Sequence, residues 1–416
     1  MTTYTIKAEK MVFGGDCIGK ADGKTVFIPY SIPGETLEVE ITKDTRDYSV
    51  ARIVSIKEPS PDRVLPFCPY YGKCGGCNMQ HIRQERQTEL RIDILKDAFE
   101  REGVSIPEIQ VIKGSPRNYR ARFQFHDGGL MEKQSNSILG IESCPCATPE
   151  INAFLREIPF AERPKGRVHV FGSDRIVSIP EGYDRLVIAQ EENIQKKRER
   201  KLPERTPGGC KVKKQKKIKS RFEGTTVNPM NLCTVRLNGK DITFDVQGFF
   251  QSNIEVLEKT IPFVTGNLSG RNVLDMYSGA GTFSVFLADQ FENVCLVEHN
   301  KDALVYAEQN MAGKRHESYG LSGEVWTKYH AEGHINRNGP FDAAIVDPPR
   351  SGMEKSVCQW LCSSDIPQIR SLSCDIATHA RDAKFLTKAG YRIEKIFLLD
   401  FYPQTCHIES LAWFYK

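Results

Sequence analysis

The chain has 416 residues, of which 40% are hydrophobic and 26% are charged, and it carries a formal net charge of +4 at pH 7. This composition is typical of a soluble globular protein of about two to four domains, and it excludes an intrinsically disordered chain. No apolar run approaches the roughly 18 residues that a membrane span requires, and the opening MTTYTIKAEK has no apolar signal segment. We therefore expect a cytoplasmic protein that does not associate with a membrane.

The N-terminal region, residues 1–57, has the pattern of short β-strands. Apolar and polar residues alternate between glycines, as in VFIPYSIPGETLEVEITKD, which predicts a small β-barrel. The proline-rich EPSPDR, residues 58–63, is a linker. Helical spacing of apolar residues then predicts a helix over about 80–103.

A compact group of cysteines follows the linker. Of the 13 cysteines in the chain, Cys68, Cys74 and Cys77 are separated by only five and two residues, and the glycines of GKCGGC let the chain wrap around a metal. Three thiolates need a fourth ligand, for which Cys144 and Cys146 of SCPCATP are the candidates. Zinc with four cysteines and an iron–sulfur cluster both favour thiolates, and the spacing leaves both open.

The stretch YRARFQFH alternates basic and aromatic residues. Its pattern predicts a strand that offers arginine to phosphate and aromatic rings to unpaired RNA bases. The residues concerned are Tyr119, Arg120, Arg122, Phe123 and Phe125. An ordinary amphipathic strand without RNA contact is the alternative.

A strongly basic run covers residues 196–221. It holds 13 Lys and Arg against two Glu, a net charge of +11. Such a run is either a solvated loop or a contact for a polyanion, because the release of counterions from phosphate favours binding to Lys and Arg. The two interpretations are compatible in a basic loop that binds RNA.

From about residue 241 the pattern changes to alternating strands and helices. NVLDMYSGAGTF, NVCLVEHN, FDAAIVDPP and IRSLSCD contain apolar strands that end in glycine, proline or acidic residues. That alternation is typical of a parallel α/β sheet. We therefore divide the chain into an N-terminal domain 1–57, a central domain 58–240 and a C-terminal domain 241–416.

The first of these strands leads into a glycine-rich turn. The strand ends at Asp275, Gly279 and Gly281 precede a helix, and Glu298 ends the next strand 23 residues after Asp275. Glycines let the backbone approach a ligand and the acidic residue can bind a ribose, so the pattern predicts a cofactor that contains a nucleoside. The single G-A-G favours S-adenosylmethionine over a dinucleotide, since there is no pyrophosphate to bind. A packing turn without a ligand is the alternative.

The DPPR motif ends the fourth strand. Asp347 can accept a hydrogen bond from a ring N–H, or it can cap a helix. Arg350 stands where amino-group methyltransferases often carry an aromatic residue, which disfavours methyl transfer to an amino group.

Several separate motifs resemble the RNA uracil-5-methyltransferase family, in particular its iron–sulfur members that modify large-subunit ribosomal RNA. They are FFQSN, LDMYSGAGTF, VEHN, DPPRSG, SCDIAT and FYPQTCHIES. Residues 1–57 resemble the TRAM module, an RNA-binding β-barrel, and CPYYGKCGGC with CPCATP resembles the family's cluster motif. The resemblance covers nearly the whole chain.

The resemblance implies the fold and the ligands. We expect an α/β Rossmann-like methyltransferase domain with a seven-stranded mixed sheet, a TRAM/OB-like N-terminal β-barrel and a central α+β domain that holds a metal cluster. A structural 4Fe-4S cluster is implied on Cys68, Cys74, Cys77 and Cys144. The residues implied to contact S-adenosylmethionine or the base are Gln251, Tyr277, Gly279, Gly281, Thr282, Glu298 and Asp347.

The implied reaction needs a nucleophile and a base. A thiolate that adds to carbon 6 of uracil makes carbon 5 nucleophilic, and a base later removes the carbon-5 proton. The resemblance implies Cys374 and Glu409 in these roles, whereas spacing alone also allows Cys374 to be a core thiol. In the implied fold an antiparallel last strand lies between the fifth and sixth, which would bring the two residues to one edge. His407, on the same strand face, could orient the carboxylate, and Ile376 replaces a proline usual in the family.

The expected partner is RNA, with 23S rRNA as the leading substrate and a monomer as the acting unit. One alternative substrate is tRNA, and the other class of function is a non-catalytic RNA-binding assembly factor. The TRAM-like module together with the cluster motif favours rRNA. The intact Cys374, Glu409 and cofactor motifs favour an enzyme.

Overall fold

The structure is a computed structural model that describes residues 3–179, 185–191 and 229–416. The basic run at 196–221 lies outside these residues, so its contact with RNA stays a prediction. Within the described ranges, no helix is long and apolar enough to cross a membrane.

The N-terminal region folds as a sheet whose two edges come from one stretch of chain. Its strands are β1 Thr3–Lys7, β2 Lys10–Met11, β3 Cys17–Ala21, β4 Lys24–Ile28, β5 Thr36–Asp44 and β6 Tyr48–Glu58. The order is β1-β5-β6-β4-β3-β2. Because β1 and β2 are nearly continuous and occupy opposite edges, the sheet closes as a barrel. Its interior is filled by alternate apolar residues, including Val26, Ile28, Leu37 and Val39.

The central region combines two helices with short strands. Its elements are α1 Gln84–Arg101, β7 Ile109–Ile112, β8 Arg122–His126, β9 Leu130–Met131, β10 Ile138–Leu139, α2 Pro149–Glu157, β11 Arg167–Gly172, β12 Ile176–Ser178, β13 Leu186–Gln190, β14 Leu232–Leu237 and β15 Lys240–Asp245. β8, β11 and β13 form one antiparallel sheet, β12, β14 and β15 another, and β9 pairs with β10. Leu90, Ile94, Leu95 and Phe99 of α1 are buried, so the predicted helix is confirmed.

The C-terminal domain is a sheet with helices between its strands. Its elements are α3 Ile254–Thr265, β16 Gly270–Met276, α4 Ser284–Leu287, β17 Phe291–Val297, α5 Lys301–Asn310, β18 His316–Tyr319, α6 Gly323–Tyr329, α7 Ala331–Asn338, β19 Ala343–Val346, α8 Lys355–Ser363, β20 Gln368–Ser373, α9 Ile376–Lys388, β21 Arg392–Leu399 and β22 Glu409–Tyr415. The strand order is β18-β17-β16-β19-β20-β22-β21-β7. β22 runs antiparallel to both of its neighbours, β20 and β21.

In the described part of the chain, this sheet has eight strands rather than the predicted seven. Seven come from the C-terminal domain, and β7 of the central region adds the eighth at one edge. β7 runs parallel to β21, from Ile109 opposite Ile396 to Ile112 opposite Leu399. Local sequence does not indicate this pairing, because the partner strand lies near the other end of the chain. The boundaries of the three domains stay predictions.

A buried ion pair connects the central region to the loop between β21 and β22, residues 400–408. Arg91 Nη1 on α1 donates to Asp400 Oδ1 at 2.7 Å, and both side chains are buried. The Asp400 amide also donates to Ile112 O at 2.8 Å. The central region and the C-terminal domain therefore share one packed framework.

We predict that removing the acid of this pair destabilises the protein. In Asp400→Asn the Arg91 charge stays buried without its counter-charge, which costs about 3–5 kcal/mol. Urea unfolding should show this loss. Glu292→Gln is the control and should not lower the free energy of unfolding, because the contact of Glu292 with Arg271 at 3.9 Å is exposed. Equal effects of the two substitutions would contradict the prediction.

Candidate active site

Cys374 and Glu409 meet at the carboxyl edge of the parallel strands. Cys374 directly follows β20, and Glu409 is the first residue of β22. Ser373 pairs with Ser410 in the antiparallel ladder between these strands, so the residues next to this pair are close together. The predicted position of the last strand, between the fifth and the sixth, is confirmed.

The Cys374 thiol is surrounded by charges of both signs. Burial, together with the carboxylates of Glu409 and Asp347, raises its pKa to about 11 against the opposing effect of the Arg350 guanidinium. A thiolate is the reactive form of cysteine. Arg350 therefore supplies positive charge where a nucleophile needs it.

Glu409 is buried and holds its proton more tightly than an ordinary carboxyl group. Burial and the Asp347 carboxylate raise its pKa to about 8, again against Arg350. Burial, with the Glu298 carboxylate, raises the pKa of Asp347 to about 7. Carboxyl groups that titrate near neutral pH suit proton transfer, as general acid–base chemistry requires.

The glycine-rich turn after β16 lies at the same edge. Gly279 and Gly281 have φ values of +55° and +76°, and a Cβ atom on Gly281 would lie 3.2 Å from Ala307 on α5. The Gly279 amide donates to Glu298 Oε2 at 2.9 Å, which joins the turn to the end of β17. The structure thus brings together the two glycines and the acidic residue that the sequence singled out.

Buried oxygen atoms without partners occur on this turn and on the FFQSN segment. Among the described residues, Asp275 Oδ1, Ser278 Oγ and Gln251 Oε1 have no hydrogen-bond partner. Ser284 Oγ donates to the other carboxylate oxygen of Asp275 at 2.5 Å. Because buried polar groups are nearly always paired, these atoms fit a ligand that brings hydroxyl or ammonium donors, as S-adenosylmethionine does.

Tyr277 and Thr282 flank the glycines of the turn. Tyr277 has a φ of +67°, which is rare for a bulky residue, and its hydroxyl donates to Glu354. Thr282 is half-buried. Strained backbone of this kind clusters at ligand sites, so the conformation of Tyr277 favours a ligand at this turn.

Two residues of the 400–408 loop lie close to Glu409. Burial and the Glu409 carboxylate raise the pKa of Tyr402 to about 12, and the Tyr402 and His407 rings lie 5.8 Å apart. His407 is exposed and precedes β22, and no hydrogen bond of the described residues joins it to Glu409. It is therefore not on the β22 face that the sequence suggested. Tyr402 was missed, although it stands in the FYPQTCHIES motif.

Five cysteine side chains line one cavity of about 40 Å³ in the central region. They are Cys68, Cys74, Cys77, Cys144 and Cys146. The sulfur atoms of Cys77 and Cys146 lie 3.9 Å apart, and the hydrogen bond from Cys146 lowers the pKa of Cys77. The predicted cysteines are thus together. In the part of the chain that the structure describes, no set of three or more His, Cys, Asp or Glu has the geometry to hold a metal ion.

The YRARFQFH segment turns its aromatic rings towards the core. Phe123 and Phe125 are buried with ring centroids 5.6 Å apart, and the buried Tyr119 donates its hydroxyl to Pro403 O at 2.9 Å. The Arg120 guanidinium lies over the Phe123 ring, 4.8 Å from its centroid. The prediction that these rings stack on RNA is wrong, because the hydrophobic effect favours their burial against α2 and β11.

Comparison with known families identifies the chain. The profile of the tRNA (uracil-5-)-methyltransferase family matches residues 84–416, and that of the TRAM domain matches residues 2–54. The chain belongs to the tRNA (uracil-5-)-methyltransferase family. Members of this family are S-adenosylmethionine-dependent RNA methyltransferases, so the predicted class of enzyme is confirmed.

Relatives match over nearly their full lengths. An uncharacterized RNA methyltransferase from Treponema denticola is 37% identical over 100% of both chains. The 23S rRNA (uracil(1939)-C(5))-methyltransferase RlmD of Shewanella amazonensis is 29% identical, over 98% of this chain and 95% of its own. The structure of Pyrococcus abyssi tRNA (uracil-54, C5)-methyltransferase with S-adenosyl-L-homocysteine has 23% identity and a TM-score of 0.69, over 99% of this chain and 100% of that one. That structure and this chain share the fold.

We predict that Arg350 sets the pH dependence of methyl transfer. Its replacement by glutamine removes a positive charge that favours both the Cys374 thiolate and the Glu409 carboxylate, so both pKa values rise. The ascending limb of log kcat/KM against pH should move to higher pH in Arg350→Gln. Arg271→Gln, at the opposite end of β16, should leave the limb in place. A limb that stays unchanged in Arg350→Gln would exclude this electrostatic role.

Proposed function

We propose that this protein, acting as a monomer, methylates carbon 5 of a uridine in 23S rRNA with S-adenosylmethionine. The observation that carries the proposal is the meeting of Cys374, Glu409 and the glycine-rich turn at one edge of the sheet. Ligands bind at this edge in open α/β sheets.

Cys374 acts first in the proposed reaction. Its thiolate adds to carbon 6 of uracil and forms a carbon–sulfur bond, while the electron pair of the carbon 5–carbon 6 double bond moves into an enolate. Arg350 favours the thiolate by its charge, and Asp347 accepts a hydrogen bond from the ring N–H. Carbon 5, now nucleophilic, would form a bond to the sulfonium methyl group, whose bond to sulfur would break and leave a neutral thioether.

Glu409 acts last. Its carboxylate removes the proton from carbon 5, the double bond to carbon 6 forms again, and the carbon 6–sulfur bond breaks to release the Cys374 thiolate. The raised pKa of Glu409 makes its carboxylate a stronger base than an ordinary one. The Cys374 thiolate is thus regenerated, and Glu409 is left as a carboxylic acid that returns to the carboxylate by releasing its proton to solvent after the product leaves.

The glycine-rich turn is the proposed cofactor site. S-adenosylmethionine would supply the methyl group on a positively charged sulfonium sulfur. Glu298 is proposed to accept hydrogen bonds from ribose hydroxyls, and the unpartnered Gln251 oxygen would accept another from the ligand. The further residues proposed to line this site are Tyr277, Gly279, Gly281, Thr282 and Asp347.

The choice of 23S rRNA rests on the relatives. The RlmD protein of Shewanella amazonensis is named for uracil 1939 of 23S rRNA and matches 98% of this chain. The Pyrococcus abyssi enzyme is named for uracil-54 of tRNA, so tRNA is the second candidate. In either RNA the target base has to leave its stack to reach Cys374.

We also propose that the cysteine cavity holds a 4Fe-4S cluster. The side chains of five cysteines line one cavity, and cysteine thiolates are the ligands that iron–sulfur clusters use. Cys144 is the proposed fourth ligand, because it begins the Cys-Pro pattern that resembles the family's cluster motif and lines the same cavity as Cys68, Cys74 and Cys77.

We predict that Cys374→Ala abolishes methylation and retains RNA binding. Loss of the nucleophile should lower methyl transfer to 23S rRNA transcripts by at least about a thousandfold, with radiolabelled S-adenosylmethionine as the readout. Cys362→Ala, at another half-buried cysteine, should remain active. Faster methylation of tRNA than of 23S rRNA would favour the second candidate.

A covalent trap tests the same assignment directly. RNA that contains 5-fluorouracil has no proton on carbon 5, so the reaction should stop with the ring bonded to Cys374. Peptide mass spectrometry should find the adduct on this residue. Methylation that proceeds without any adduct would refute the nucleophilic mechanism.

We predict that Cys144→Ser loses the cluster and Cys146→Ser keeps it. Iron analysis and visible absorbance of anaerobically purified protein provide the measurement. The melting temperature should fall in Cys144→Ser alone, because a lost ligand removes a constraint on the fold. Zinc in the wild-type protein, or full iron content in Cys144→Ser, would contradict the assignment.

A further inference from the structure

The 400–408 loop leads directly into Glu409, and side chains distant in sequence hold its backbone. The Tyr119 hydroxyl donates to Pro403 O at 2.9 Å, and Asn253 Nδ2 donates to Phe401 O at 3.2 Å. A segment without regular structure keeps a single conformation only where such bonds satisfy its backbone. The path of the chain into Glu409 thus depends on other parts of the protein.

Gln404, in the middle of this loop, has an unfavourable backbone conformation. It is buried and has a φ of +70°. Its amide donates to Gln87 Oε1 at 3.1 Å, and its side-chain oxygen accepts from Gln87 Nε2 at 3.0 Å. A non-glycine residue keeps such a φ only where its surroundings enforce it, so the loop will relax when its hydrogen bonds are removed.

Asn78 makes several of these hydrogen bonds. The amides of Asn78 and Met79 both donate to Gln404 O, at 3.2 and 3.0 Å. The Asn78 side chain accepts through Oδ1 from the Cys406 amide at 2.9 Å. The backbone of Asn78 thus holds the loop at Gln404, and its side chain holds the loop at Cys406.

The same asparagine contacts the N-terminal barrel. Asn78 Nδ2 donates to Gly14 O at 3.1 Å, and a Cβ atom on Gly15 would lie 2.8 Å from both Asn78 Nδ2 and Cys406 Cβ. Asn78 also follows Cys77, which lines the cysteine cavity. One side chain therefore joins the barrel, the cysteine segment and the loop.

The loop determines the surroundings of Glu409. It carries Tyr402 and His407, whose rings contact each other, and the Tyr402 hydroxyl is sensitive to the Glu409 charge. Only two residues separate Cys406, held by Asn78, from Glu409. A shift of the loop will therefore move the Glu409 carboxylate.

We propose that Asn78 is a positioning residue for the general base. It holds the 400–408 loop so that the Glu409 carboxylate reaches the proton on carbon 5 of the covalent adduct. The inference rests on the proposed function. The hydrogen bonds of Asn78 join the loop and the barrel, and none in the described part of the chain joins its side chain to Cys374 or to the cofactor turn.

The two halves of the reaction then respond differently to the loss of this side chain. The Cys374 thiolate still adds to carbon 6, and carbon 5 still takes up its methyl group. Removal of the carbon-5 proton becomes slow, so the carbon 6–sulfur bond persists. The signature is a methylated covalent adduct on RNA with ordinary uridine, which the wild-type protein resolves.

Asn78→Ala and Asn78→Asp test the proposal as a pair. Alanine removes the acceptor for the Cys406 amide, whereas aspartate keeps an oxygen in that place and exchanges the donor to Gly14 for a charged acceptor. Asn78→Ala should lower kcat by about 10- to 100-fold, the effect of a small misplacement of a reacting group. It should also accumulate the methylated adduct, seen as a denaturant-resistant protein–RNA band and identified by mass spectrometry. Asn78→Asp should turn over near the wild-type rate without an adduct.

Asn338→Ala is the matched control and should behave as the wild type. It removes another half-buried asparagine, whose Nδ2 donates to Glu317 Oε1 at 2.7 Å on β18.

Three results would overturn the inference. They are wild-type turnover by Asn78→Ala, equal losses of turnover with alanine and with aspartate, and lost turnover without an adduct. Failure of Asn78→Ala to form an adduct with 5-fluorouracil RNA would also overturn it, by showing a role in folding or RNA binding. Absence of the Cys374 adduct in the wild-type protein would instead refute the proposed function.

Discussion

The antiparallel insertion of β22 between β20 and β21 is the constraint on which the site depends. Because β22 runs against its neighbours, its first residue, Glu409, lies at the edge where β20 ends before Cys374. A parallel β22 would place Glu409 at the far edge of the sheet, about 20 Å away for a strand of this length. Burial also fixes the register, since a slip of one residue would turn the Glu409 side chain to the opposite face.

The same edge concentrates carboxyl groups that oppose folding at neutral pH. Burial and mutual repulsion raise the pKa of Asp275 and Asp347 to about 7 and that of Glu409 to about 8. Between their ordinary values and these raised values the folded protein binds more protons than the unfolded chain, so its stability falls as the pH rises through this window. A cation at this edge, whether the Arg350 guanidinium or a bound sulfonium, reduces the repulsion. In the proposed mechanism this arrangement serves ligand binding and proton transfer, at some expense of stability.

The sequence could predict the parts of the site that lie where strands end. Apolar runs indicate where a strand stops, so the sequence predicts that Cys374 and Glu298 lie at the same edge of the sheet. The alternation of basic and aromatic residues in the 119–126 segment indicates that a strand has two different faces. Only packing against α2 and β11 decides that the face with Phe123 points inward. Arg350 is exposed, and only the folded DPPR turn brings its charge close enough to Cys374 and Glu409 to affect their pKa values. The sequence by itself does not indicate this proximity. The pairing of β7 with β21 joins the central region to a strand far away in the sequence, which no local pattern indicates.

Polar contacts between the central region and the 400–408 loop specify orientation more than they add stability. A buried ion pair such as Arg91–Asp400 often stabilises a fold no more than apolar residues of the same size would. Its directional bonds, and those between Gln87 and Gln404, nevertheless allow one arrangement of α1 against the loop, whereas apolar contacts tolerate sliding. A general base has to lie within hydrogen-bond reach of the proton it removes. A loop that carries the chain into Glu409 thus gains more from directional contacts than from additional buried apolar surface.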